Sequence, residues 1–263
     1  MQADSPATAE ELKQLAKGRR RFLMKKLHSL SGVVPVGLFM VFHLWTNARA
    51  LNGQASFDSG VEQIQEMPFL PVLEFGLILL PLAFHALYGV KLAFEARPNV
   101  GNYPFNRNWM FLAQRVTGVA AFAFLIWHLY EFWFQKWTGN LEPAGFYPEL
   151  CESLSATRAG IPLNALAYVF GIAACVFHFT NGLWGFCFSF GITVSRRAQR
   201  LSATVFGLLG VALFFLGANT AIYFATGSRI ALFGRAPGSK SAQVLRTCPD
   251  VQPASAETTG EAR

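Results

Sequence analysis

Residues 163–193 read LNALAYVFGIAACVFHFTNGLWGFCFSFGIT, and the rest of the chain is organised around this stretch. It contains no Asp, Glu, Lys or Arg, and a single imidazole, His178, sits deep inside it. A helix that crosses a bilayer needs about 20 mostly apolar residues, so the run is long enough to span. A titratable side chain at membrane depth is costly unless it is paired, and it marks a functional position. Three further apolar runs share the feature, with His43, His85 and His128 embedded among Leu, Phe, Val and Ala.

Composition limits what those histidines can do. The chain has 263 residues, of which 52% are hydrophobic and only 14% charged, and it carries 26 Phe, which is outside the range of an ordinary soluble domain. Five runs are long enough to span, at residues 30–50, 70–94, 109–133, 163–190 and 201–225. Membrane strands would be short and alternating, unlike these unbroken runs. The fold class is therefore all-α, a polytopic membrane protein with five transmembrane helices, the first four forming a bundle around the histidines. No cleavable signal peptide is expected, because a long polar segment precedes the first run. The chain divides into a basic amino-terminal arm at 1–29, a membrane domain at 30–225 and a tail at 226–263.

A net charge of +7 does not indicate nucleic acid here, because the basic residues track the connections. Lys13, Lys17, Arg19, Arg20, Arg21, Lys25 and Lys26 precede the first span. Lys91, Arg97, Arg107 and Arg115 surround the second connection, and Arg196, Arg197 and Arg200 fill the fourth. The first and third connections carry few cations beside acids such as Asp58, Glu62, Glu66, Glu142, Glu149 and Glu152. That asymmetry places the amino terminus in the cytoplasm and the carboxyl terminus outside, although basic residues in the tail run mildly against it. The cluster at 19–26 serves as a topology anchor, a docking surface for a cytoplasmic partner, or both. His28 follows at the boundary, where water and headgroups can satisfy it, and is not counted with the intramembrane four.

Depth pairs the histidines. At about 1.5 Å of rise per residue, His43 and His128 fall in the outer half of the membrane, and His85 and His178 in the inner half. The inner two also share a local pattern, HALYG and HFTNG, with Gly89 and Gly182 one turn beyond each histidine. A glycine there clears bulk from the histidine face of the helix, as a large flat ligand requires; plain small-residue packing is the alternative. Zinc and copper sites gather three or four ligands at one depth, whereas each depth here offers two. Two axial imidazoles from facing helices is how a bundle holds b-type haem. Each ring is expected to give its other N–H to a carbonyl one turn back in its own helix.

The runs RRFLMKKLHSLSGVVPVGLFMVFHL, LPLAFHALYGV, NRNWMFLAQRVTG, IWHLYE and HFTNGLWGFCFSFGITVSRRAQR resemble the di-haem cytochrome b membrane subunits of the succinate:quinone oxidoreductase and fumarate reductase family. The resemblance covers about residues 19–225. It implies two haem b groups, the outer on His43 and His128 and the inner on His85 and His178; Arg115 and the nearby basic residues are candidates to neutralise the inner haem propionates, with a topology role as the alternative. It also implies a flavoprotein and an iron-sulfur protein docked on the cytoplasmic face of a bacterial inner membrane, and a quinone acceptor, menaquinone, near the outer face. Glu74 and Glu131, near the outer ends of their spans, are the carboxylates expected to handle quinone protons. A fumarate reductase running in the opposite direction shares the architecture. A cytochrome b of a hydrogenase or formate dehydrogenase is disfavoured by LAQRVTG and HFTNGLWGF. A transporter or anchor using buried histidines as a proton relay is the alternative from another class.

Cys175 and Cys187 lack metal-like spacing and are expected to be packing residues, so no iron-sulfur cluster is expected on this chain. Cys151 and Cys248 both fall on the external side of the expected topology, where a bridge between them is permitted.

Overall fold

The structure, a computed structural model, describes residues 8–229. Among the described residues five helices are long and apolar enough to cross a membrane: α1 (Ala9–Asn52), α3 (Leu70–Glu95), α4 (Asn106–Trp137), α6 (Leu163–Ser189) and α7 (Arg196–Thr226). Two shorter helices lie in the connections, α2 (Gln54–Gln65) and α5 (Phe146–Ser155). Among the described residues the β pairing is one isolated bridge between Arg158 and Ile161. The chain is an all-α, multi-pass membrane protein.

The amino-terminal arm and the first span are one continuous helix. Thr8 and Glu11 start it with a reciprocal capping box: the Thr8 hydroxyl accepts from the Glu11 amide, and the Glu11 carboxylate accepts from the Thr8 amide at 2.7 Å. Those bonds from Thr8 hold the Glu11 carboxyl below its usual range. Within α1 the backbone widens into a π-helical segment at Gly32–Gly37 around Pro35, since proline removes an amide donor and crowds the carbonyl four residues back. Further π segments occur in α3 (Leu73–Leu79) and in α4 directly after His128 (Leu129–Phe134).

Two compact units make up the chain. One gathers the described residues of Met1–Met40, Pro71–Val119 and Phe177–Leu208. Cations tie its helices together: Arg21 pairs with Glu95 at 3.0 Å, Lys26 donates to the Ser189 carbonyl and sits over Phe190, and Arg107 lies 4.5 Å over Phe188. The other gathers those of Val41–Leu70, Ala120–Val176 and Leu209–Arg263. Its core includes Ala50, Phe57, Tyr147, Leu150, Cys151, Leu154, Tyr168 and Phe224. Helix α5 presents Tyr147, Leu150, Cys151 and Leu154 on one face, the i, i+3, i+4, i+7 spacing of a buried stripe. Along the long helices many large apolar side chains, Leu80, Leu87, Phe170, Leu201 and Leu208 among them, point outward, as side chains solvated by lipid do.

Cys151 is buried and disulfide-bonded, whereas Cys175 and Cys187 are free thiols. Cys248 and most of the carboxyl-terminal tail lie outside the described residues.

Candidate functional site

In each compact unit one pair of imidazoles from facing helices stands edge to face. In the first unit His85 of α3 and His178 of α6 stand with ring centroids 6.0 Å apart and planes at 82°. In the second, His43 of α1 and His128 of α4 stand 5.7 Å apart at 73°. An imidazole nitrogen sits about 2 Å from a metal it ligates, so two rings sharing one ion have centroids about 6 Å apart. Both separations suit a shared metal.

The second nitrogen of each ring decides whether the first is free to ligate. His85 Nδ1 donates to the His28 carbonyl at 2.9 Å, and His178 Nδ1 donates to the Gln114 carbonyl at 2.9 Å. His128 Nδ1 faces the Tyr168 hydroxyl at 3.1 Å. These acceptors lie on neighbouring helices, not one turn back in the histidine's own helix as the sequence suggested. In each case Nδ1 has the carbonyl or hydroxyl partner, which makes Nε2 the candidate ligating nitrogen; the Gln114 amide lies 3.4 Å from that of His178. Gln114 returns the bond, its Nε2 donating to the His178 carbonyl at 2.9 Å, while Asn181 Nδ2 donates to Gln114 Oε1 at 2.7 Å. The LAQ and HFTN runs thus form one clamp between α4 and α6.

Among the described residues of the first unit, His28 Nδ1, Arg115 Nε and Thr193 Oγ1 are buried without a protein partner. A buried polar group without a partner is costly, and an anionic group such as a haem propionate would satisfy the Arg115 guanidinium. Arg115 otherwise stacks on Phe111 and donates to the Phe111 carbonyl at 2.7 Å. The residues present fit two bis-imidazole haem sites.

Residues 97–218 match the family described as Succinate dehydrogenase/Fumarate reductase transmembrane subunit. Over 207 residues the chain is 39% identical to the succinate dehydrogenase cytochrome b558 subunit of Bacillus subtilis (strain 168), covering 79% of this chain and 98% of that protein. The chain belongs to this family of succinate dehydrogenase and fumarate reductase membrane cytochrome b subunits. No solved structure matches it.

Within this cytochrome b subunit several residues stand where the sequence did not place them. His28, expected at the membrane boundary among water and headgroups, stacks face to face on His85 with centroids 4.1 Å apart and planes at 9°. Gly89 faces the His28 ring, and Gly182 faces the Gln114 amide. The glycines against the paired imidazoles are instead Gly32, where a Cβ would lie 2.2 Å from the His85 ring, and Gly118, where it would lie 2.8 Å from the His178 ring. Both Glu131 carboxylate oxygens accept hydrogen bonds, from the Tyr168 hydroxyl at 2.7 Å and from the Ser153 hydroxyl. Glu74 is partly exposed in the first turns of α3. Gln114, Asn181, Tyr168 and Ser153 were not singled out in the sequence. For Gln114, Asn181 and Tyr168 the signal available was a polar side chain recurring in an apolar span, the same signal that found the histidines; Ser153, in the connecting helix α5, carried no such signal.

Proposed function

We propose that this subunit holds two b-type haems, one between His85 and His178 and one between His43 and His128, and connects an iron-sulfur partner to a membrane quinone. The carrying observation is that each compact unit supplies one imidazole pair at metal-sharing distance, with Nδ1 committed to an acceptor in three of the four rings. When bound there, haem supplies reversible one-electron carriage. The chain's own residues orient the ligands, keep water from them and neutralise charge. Gln114 and the His28 carbonyl fix the rings of one pair, and Phe124 stacks on His128 at 5.7 Å in the other. Arg115 offers an unpartnered donor for a propionate.

The cations at 13–26, at Arg107 and at 196–200 support a cytoplasmic amino terminus in a bacterial inner membrane, with flavoprotein and iron-sulfur subunits docked on that face. Disulfide-bonded Cys151 supports an oxidising compartment for the third connection, on the opposite face. The acceptor by resemblance is menaquinone near that outer face, and its two-electron reduction consumes two protons. Glu131 accepts from Tyr168 and Ser153, and Glu74, near the outer end of its span, is the carboxylate proposed to deliver them. Glu74→Gln should lower quinone-dependent turnover at least tenfold, within the range of lost general acid–base catalysis, while reduction of both haems by succinate stays normal. Normal turnover would remove Glu74 from the site.

Redox titration of single variants tests the ligand pairs. Non-ligating substitutions of His85 and His178 should delete one and the same b-type component, and those of His43 and His128 the other. Deletion of the same component by His43 and His85 variants would overturn the pairing.

A further inference from the structure

The acceptors of the histidine Nδ1 protons are not equivalent. His85 and His178 donate to neutral backbone carbonyls. His128 faces Tyr168, whose hydroxyl proton is committed to Glu131 Oε2 at 2.7 Å. With that proton spent, the Tyr168 oxygen can only accept, so Nδ1 of His128 carries the hydrogen and Nε2 presents its lone pair. The line therefore runs from His128 N–H to Tyr168, from Tyr168 O–H to Glu131, and ends on a carboxylate. Ser153 donates to the other carboxylate oxygen, and Asn164 Nδ2 donates to the Ser153 carbonyl at 3.0 Å. Packing keeps the line in place: Tyr168 is 6% exposed, and its ring meets the edges of Trp127 at 5.1 Å and Phe124 at 5.3 Å. Gly171, one turn on from Tyr168 in α6, makes the room, since a Cβ there would lie 2.3 Å from the Phe124 ring.

We infer that Tyr168 and Glu131 are positioning residues that fix the ring of His128 and make it a more electron-donating ligand. The inference rests on the reading that His128 ligates haem. An acceptor that ends in a carboxylate draws the Nδ1 hydrogen outward and raises the basicity of Nε2, as outer partners of metal-bound histidines do. A more basic ligand favours the ferric over the ferrous state. Glu131 thus acts on the haem ligand and not on the quinone, which accounts for both of its oxygens being taken by hydroxyls.

The test is redox titration, with optical and electron paramagnetic resonance detection, of the whole complex carrying Tyr168→Phe, Glu131→Gln or both. The component that His128 substitution deletes should titrate at higher potential in each single variant. The shift should correspond to about a tenfold change in the ferric to ferrous ratio, about 59 mV for one electron. The component held by His85 and His178 should not move. Glu131→Gln should add nothing once Tyr168 is Phe, because the carboxylate then has no line to the ring. If Tyr168→Phe loses haem, Glu131→Gln decides, since it keeps the tyrosine and its packing. Full haem content with an unmoved or lowered potential in Glu131→Gln would overturn the inference, as would an equal Glu131→Gln shift with and without the tyrosine hydroxyl. A wild-type complex in which no b-type component depends on His128 would instead overturn the haem reading beneath it.

Discussion

The four intramembrane histidines stand out in the sequence because an imidazole inside an apolar run demands a reason. Gly32 and Gly118 do not stand out, because glycine is ordinary in membrane helices and only the meeting of two particular faces reveals its use. His85 packs against the bare backbone of Gly32, and His178 against that of Gly118. Gly32→Ala should therefore displace the His85 ring. Overpacking of this kind costs about 1–3 kcal/mol, and the displaced ring should weaken or remove the b-type component of the His85–His178 pair while sparing the other. An unchanged spectrum would show that the ring has room to move. His28, read in the sequence as a boundary residue, stacks on His85, a neighbour that position along the chain does not reveal.

The spanning helices were legible almost to their ends, since unbroken apolar length is a strong signal; α3 and α6 begin at Leu70 and Leu163 as the hydropathy indicated. The polar arm read at 1–29 joins the first span, since the capping box at Thr8 and Glu11 starts a helix, α1, that continues to Asn52. Helices α2 and α5 went unread, being short and mixed in composition, although Tyr147, Leu150, Cys151 and Leu154 carry a helical stripe. Leu154 is 1% exposed, and Leu154→Ala should cost about 2–5 kcal/mol, lowering the thermal unfolding midpoint of the purified complex. On the same helix the Glu149 carboxyl is held above its usual range, chiefly by burial and further by the Glu152 and Glu131 carboxylates. A carboxyl with a raised folded pKa favours the fold when protonated, so its contribution is fully present below the ordinary carboxylate range and is lost as pH rises through the folded value. Glu149→Gln should flatten that acid-side dependence of the unfolding midpoint and raise the midpoint at neutral pH. A steeper dependence in the variant would contradict the assignment.

At the level of the whole molecule, family membership rests on the extent of the likeness, 39% identity over 207 residues, and the cytochrome b character was legible because its motifs lie on the histidine-bearing spans. Orientation was read from charge alone, and disulfide-bonded Cys151 adds independent support for an external third connection. Mass spectrometry of non-reduced, alkylated protein should recover Cys151 in a bridged peptide and Cys175 and Cys187 as alkylated thiols. An alkylated Cys151 would remove that support. On this reading each of the two imidazole pairs, His85–His178 and His43–His128, holds one haem iron. Haem content per polypeptide, measured by the pyridine haemochromogen spectrum of the purified complex against quantified subunit, tests it directly. The expected value is two haem b per chain; a value of one, or none, would contradict two bis-histidine sites.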